Sequence, residues 1–179
     1  HCISSAASDV YKRQVKTIPV LSLASTDPVA TGIVLSADDS GQDNLHALVS
    51  VGYFRQQVES FHSVRPFKSL GFVTAEQRAA KSGVGDVRAA CVAKGITLVD
   101  AYYDEDEEKS EAARFRAFYE CLEKLVEKGI EAVMLPWFPC TDAELAQVVA
   151  LLVKHGVWSY SLAGPAFTSR GILLGAGEE

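Results

Sequence analysis

The sequence predicts an α/β fold in which short parallel strands alternate with amphipathic helices. Three observations carry that expectation. Short apolar runs rich in β-branched and aromatic residues recur from Leu70 onward, and longer amphipathic stretches separate them. Three of those stretches stop at a cation followed by glycine: Lys94-Gly95, Lys128-Gly129 and His155-Gly156. Glycine relieves the left-handed cap, and a cation suits the negative end of the helix dipole. The 179 residues, 48% hydrophobic and 22% charged, suffice for one or two domains with a sizeable core.

The elements follow in order. Ser4–Gln14 (SSAASDVYKRQ) resembles a widely used transposase sequencing adaptor read through as protein, so residues 1–14 are set outside the fold. The chain proper is expected to begin upstream of Val15, and the apolar segment Gly171–Gly177 stops abruptly, so both ends are expected to be cut. Thr17–Ala24 is β-patterned and runs into Ser25-Thr26-Asp27-Pro28, where Asp27 can cap a short helix with Pro28 in its first turn. The polar stretch Ala37–Asn44 reads as a short crossing between two lobes. It is followed by Leu45–Val51 and an amphipathic helix near Tyr53–Ser63, with Phe54, Val58 and Phe61 on one face. Strands are then expected at Leu70–Thr74, Ile96–Tyr102, Ala132–Leu135, Val157–Leu162 and Ile172–Leu174. Helices are expected near Gly83–Lys94, Ser110–Lys128 and Asp142–His155. Thr141-Asp-Ala-Glu144 has the form of a capping box that opens the third of these helices.

Composition excludes several function classes. The net charge is −6 with cations dispersed, which argues against a nucleic-acid or anionic-membrane surface. No apolar run approaches the roughly 20 residues needed to span a bilayer. The four cysteines and four histidines show no metal-ligand spacing, and Cys91 and Cys121 fall in expected helices as inert thiols. Gly83-Val84-Gly85 lacks the third glycine of a dinucleotide fingerprint, and there is no G-x-S-x-G elbow. No catalytic residue and no cofactor are expected. The acidic run Asp104–Glu111 reads as a solvated loop feeding a helix N-terminus.

Two segments carry a family resemblance. Ile18-Pro19-Val20-Leu21 is followed by Thr26-Asp27-Pro28-Val29-Ala30-Thr31-Gly32. Asp39-Ser40-Gly41-Gln42-Asp43-Asn44-Leu45-His46-Ala47 then leads to Arg55-Gln56-Gln57-Val58 and Phe67-Lys68-Ser69-Leu70-Gly71-Phe72-Val73. In these the chain resembles the substrate-binding proteins of ABC transporters that include tryptophan- and other amino-acid-binding members. The resemblance implies a periplasmic-binding-protein fold of type I: two α/β lobes joined by crossing strands, closing on a ligand at the strand C-termini. It implies the end of the first lobe plus a crossing over 15–52, a second lobe over 53–163, and the start of a return crossing over 164–179, with one lobe largely missing. The implied protein is not an enzyme. It is periplasmic or otherwise extracytoplasmic and hands a small solute, an amino acid or related carboxylate, to an ABC permease.

The residues point to the same place. In open parallel sheets ligands sit beyond the strand carboxyl ends, where helix N-termini offer free N–H groups. The expected contacts there are Ser25, Thr26, Asp27, Thr74, Glu76, Trp137, Phe138, Thr141 and Ser161. Hydroxyls suit a carboxylate or amide, and Trp137 offers a stacking plane. Structural alternatives stand beside these roles: Thr26, Asp27 and Thr141 as helix caps, Trp137 and Phe138 as rim packing, Glu76 as a solvated loop residue. Only Thr26 and Asp27 match the family pattern fully, so the solute stays open. Two other readings are carried: the sensory domain of a membrane signalling protein, coupled to a kinase module, and a Rossmann-like enzyme.

Overall fold

The computed structural model describes residues 18–22, 28–29, 32–47, 49, 52–81, 83–105 and 108–175. Residues 1–14, Ser25-Thr26-Asp27 and the Asp106-Glu107 part of the acidic run lie outside the described residues. The chain divides into two compact units, His1–Tyr53 and Phe54–Glu179.

In the first unit, β1 (Val20–Ser22) pairs in parallel with β2 (Leu45–Ala47), with Val20 opposite Leu45. Pro28 and Val29 stand in a turn, and the Pro28 carbonyl accepts from the Ile33 N–H at 2.8 Å. The polar stretch before β2 bonds to itself, because short oxygen-bearing side chains mimic the backbone in turns. The Ser36 hydroxyl accepts from the Asp39 N–H at 3.0 Å, and the Asp39 carboxylate accepts from the Gly41 N–H at 2.7 Å.

The second unit holds a five-stranded parallel sheet of order β4-β3-β5-β6-β7. Its strands are β3 (Ser69–Ala75), β4 (Thr97–Tyr103), β5 (Ala132–Leu135), β6 (Trp158–Ser161) and β7 (Leu174–Gly175). Around it lie α1 (Tyr53–Val64), α2 (Val84–Lys94), α3 (Glu111–Glu127) and α4 (Asp142–Lys154). A 3-10 helix over Glu76–Lys81 and the short α5 (Pro165–Thr168) were not foreseen from the sequence. The strand expected at Ile172–Leu174 forms two residues later, at Leu174–Gly175.

Local chemistry explains these boundaries. Gly95 closes α2 at φ 68°, a conformation that costs an L side chain energy, and its N–H satisfies the carbonyls of Cys91 and Val92. Ser110 caps α3 by accepting from the Ala113 N–H. At α4 the capping box forms in full: the Thr141 hydroxyl accepts from the Glu144 N–H at 3.3 Å, and the Glu144 carboxylate accepts from the Thr141 N–H at 2.8 Å.

Alternation along the strands divides the buried side chains between the two faces. Val73, Ala75, Val133 and Leu135 join Phe115, Phe118, Leu122 and Leu125 of α3 and Leu145, Val148 and Leu152 of α4 in one cluster. The alternate residues Leu70, Phe72 and Met134 are buried outside that cluster. Phe61 of α1 packs on Phe67 and Tyr160, with ring centroids 4.8 and 5.0 Å away, and the Tyr160 hydroxyl donates to the Gln57 side chain. Right-handed crossovers require α2 on one face and α3 and α4 on the other.

Candidate functional site

Strand order decides where this unit can hold a ligand. From β3 the chain crosses outward to β4, and from β4 it returns past β3 to β5. The two neighbours of β3 are thus reached over opposite faces, which opens a crevice at the carboxyl ends of β3 and β5. The residues leaving those ends are Thr74, Ala75 and Glu76 from β3, and Pro136 and Trp137 from β5. Ser161 ends β6 on the same edge, because all five strands run parallel.

The structure sorts the expected contacts. Trp137 is 56% exposed and stands open at the edge. Phe138, the next residue, is 2% exposed. Its ring stacks on Phe118 at 4.0 Å and lies 4.8 Å from Phe167. The expectation that Phe138 touches solute is therefore corrected: it is core, its ring enclosed by Phe118 of α3 and Phe167 of α5. Thr141 is exposed, but its hydroxyl and N–H both engage Glu144 at the start of α4, so it acts as a cap. Thr74 is buried at the end of β3, and Glu76 is exposed at the opening of the 3-10 helix. Ser161 is fully buried, and its hydroxyl accepts from the Ala163 N–H at 2.9 Å. Ser25, Thr26 and Asp27 lie outside the described residues. The edge therefore brings together Thr74, Glu76, Trp137 and Ser161, and leaves Phe138 and Thr141 to structural work.

Sequence reasoning missed a polar cluster at the carboxyl ends of β3 and β4. Glu105, read as part of a solvated loop, is 5% exposed and pairs with Arg78 Nε at 2.9 Å. Gln77 clamps the same turn: its carbonyl accepts from the Glu105 N–H at 3.1 Å, and its amide donates to Asp104 at 2.5 Å. Burial, and next the Glu105 charge, push the Tyr103 hydroxyl up to about 12. A run of acids gives no local sign of which member turns inward. That depends on a cation 27 positions earlier, carried on a 3-10 helix that the sequence did not announce.

Other chemistry is sparse. Burial raises the thiols of Cys91 (to about 11), Cys121 and Cys140, which makes them poor nucleophiles. Among the described residues no group of three His, Cys, Asp or Glu side chains is placed to hold a metal ion. Among the same residues no helix is long and apolar enough to cross a membrane. Gly83, from the weak glycine motif, has φ 72° and lies with the Phe54 ring where a Cβ would point. Packing accounts for that glycine.

Comparison with known proteins bears on the fold. No family model and no curated protein matches the chain. Among solved structures it is similar to an ABC domain in complex with L-Trp from Streptococcus pneumonia, with TM-score 0.64 and 18% identity over 92% of this chain and 52% of that one. It is also similar to an ABC-transporter solute-binding protein from R. palustris in complex with benzoate, with TM-score 0.63 and 13% identity over 93% and 43%. A conserved domain protein from Vibrio cholerae matches with TM-score 0.62 and 20% identity over 93% and 53%. The chain spans about half the length of these proteins. At such identities the likeness is one of fold: the α/β periplasmic-binding fold of type I found in ABC-transporter substrate-binding proteins.

Proposed function

We propose that this chain is part of an extracytoplasmic solute-binding protein that captures a small carboxylate, an amino acid or a relative of one, for an ABC permease. The observation that carries the reading is the crevice at the carboxyl ends of β3 and β5, with Trp137 exposed beside it. An exposed indole at a strand carboxyl end suits a ligand with an apolar face to stack on it. The solved structures of like fold with L-Trp and benzoate carry ligands of that description. Glu76 and Trp137, both exposed, are the contacts proposed on this edge, with the buried hydroxyls of Thr74 and Ser161 behind them. Trp137 supplies the stacking plane, and no bond is made or broken in the captured molecule.

The test is a thermal-shift screen of amino acids and aromatic or aliphatic carboxylates against the intact protein. A solute at 100 times its Kd stabilises the folded state by about 2.7 kcal/mol, which such a screen reads as a clear rise in Tm. Binding is then followed by Trp137 emission in a Trp158→Phe background. A screen in which no carboxylate or amino acid shifts Tm would overturn the reading.

A further inference from the structure

Five polar side chains are buried among the described residues: Gln57, Thr74, Glu105, Ser159 and Ser161. Four of them are engaged inside the fold. Gln57 accepts from the Tyr160 hydroxyl, and Glu105 pairs with Arg78. The Ser159 hydroxyl accepts from the Leu173 N–H at 3.1 Å, and that of Ser161 accepts from the Ala163 N–H at 2.9 Å. Among these five, Thr74 alone has a side chain that bonds to nothing. Its oxygen is nevertheless not sealed: among the described residues, the unpaired side-chain atom shut off from solvent is Arg114 Nε. Buried polar groups are nearly always hydrogen-bonded, because an unmade bond costs folding free energy. The Thr74 hydroxyl is thus a bonding group held in reserve, open to whatever enters from outside.

Strand register places that hydroxyl beside a gap. On one side β3 stays paired with β4 through Thr74, opposite Tyr102, as far as Ala75. On the other side its ladder with β5 ends at Phe72 opposite Met134, two residues short of Thr74. The crevice between the carboxyl ends of β3 and β5 therefore opens alongside Thr74. Val73 and Ala75 turn into the core shared with α3 and α4, so Thr74, between them, stands on the other face. We propose that the Thr74 hydroxyl is the hydrogen-bonding floor of this crevice and donates to an oxygen of the solute's carboxylate. The inference rests on the solute-binding reading and deepens it. Of the two hydroxyls behind Glu76 and Trp137, that of Thr74 binds solute and that of Ser161 holds its own turn. The carboxylate is the group that every solute of the proposed class carries, and a threonine hydroxyl has one proton to give it.

The experiment pairs a ligand-free measurement with a titration of the intact protein. Without solute, Thr74→Val is expected to melt at or above the Tm of the unaltered protein, because a methyl group replaces an unpaired hydroxyl on a strand. Ser159→Ala, which strands the Leu173 N–H, gives the contrast and is expected to melt lower. A fall in Tm for Thr74→Val as large as that for Ser159→Ala would make the Thr74 hydroxyl structural and overturn the proposal. The standard amino acids and benzoate then serve as probes, and calorimetric titration follows the tightest of them. Thr74→Val is expected to weaken it roughly tenfold or more, as for loss of a hydrogen bond to a charged group, and Thr74→Ser to recover most of the affinity. Equal losses in the two variants would assign the effect to shape and sink the idea. Where the probe is an amino acid, its deaminated analogue keeps the carboxylate and is expected to show the same loss; a loss confined to the amine-bearing probe would remove the carboxylate assignment. Affinity of Thr74→Val within twofold of the unaltered protein would refute this role while leaving solute capture standing. A set in which no probe binds would remove both.

Discussion

Replacing Phe138 by alanine tests the orientation of the whole exit segment of β5, because its neighbour Trp137 serves as the internal control. Phe138 is 2% exposed and touches three rings: Phe118 stacked at 4.0 Å, Phe167 at 4.8 Å and Phe115 at 6.4 Å. Removing a buried phenylalanine costs about 3–5 kcal/mol through lost transfer energy and the cavity left behind. Aromatic pairs add about 0.5–1.5 kcal/mol beyond area burial, which places Phe138→Ala toward the upper part of that range. Trp137→Ala removes a larger side chain from an exposed position and is expected to stay within about 0.5 kcal/mol. Urea unfolding of the two variants, followed by far-UV circular dichroism, measures both. Equal losses, or a loss below about 1 kcal/mol for Phe138→Ala, would refute the assignment of one ring to the core and the other to the solute edge. Phe138→Leu, which keeps most of the apolar volume, is expected to cost less and to leave solute affinity unchanged, whereas Trp137→Ala weakens it.

Three further outcomes are expected. Thr141→Ala loses the capping box of α4 and costs about 1 kcal/mol, seen as a lower urea midpoint, while solute affinity stays the same; a large loss of affinity would return Thr141 to the site. Gly83→Ala is destabilising by roughly 1–2 kcal/mol for the left-handed backbone alone, with collision against Phe54 added; unchanged stability would free Gly83 for a ligand role. Stability is expected to fall on the alkaline side. Cys91 rises from 9.0 to about 11 and Tyr103 from 10.0 to about 12, so the folded state holds protons that the unfolded chain has released. Their contribution is complete below pH 9 and is lost as pH climbs through about 12. Urea midpoints at pH 8 and pH 11 measure the loss, and a Cys91→Ala, Tyr103→Phe double variant that retained the full slope would refute the cause.

What the sequence determined by itself was the order of the strands and long helices of the second unit, though not its two short helices. The cation-glycine stops after Lys94, Lys128 and His155, the Ser110 cap and the Thr141–Glu144 box act within one or two turns of chain, so the residues that end a helix lie beside it in sequence. Strand runs announce themselves for the same reason: a buried strand of a parallel sheet is apolar along its own length. Tertiary structure alone decided the rest. Nothing local in Pro136-Trp137-Phe138 says which ring turns outward; α3 and α5 decide it by surrounding Phe138 with Phe118 and Phe167. Nothing local in Asp104–Glu111 marks Glu105 for burial; Arg78 decides it from the neighbouring strand end. The order β4-β3-β5, which creates the crevice, is likewise a property of pairing between distant segments. Periodicity and capping are short-range and therefore written in the chain, whereas the facing of a side chain at a strand end depends on partners that only the assembled sheet brings near.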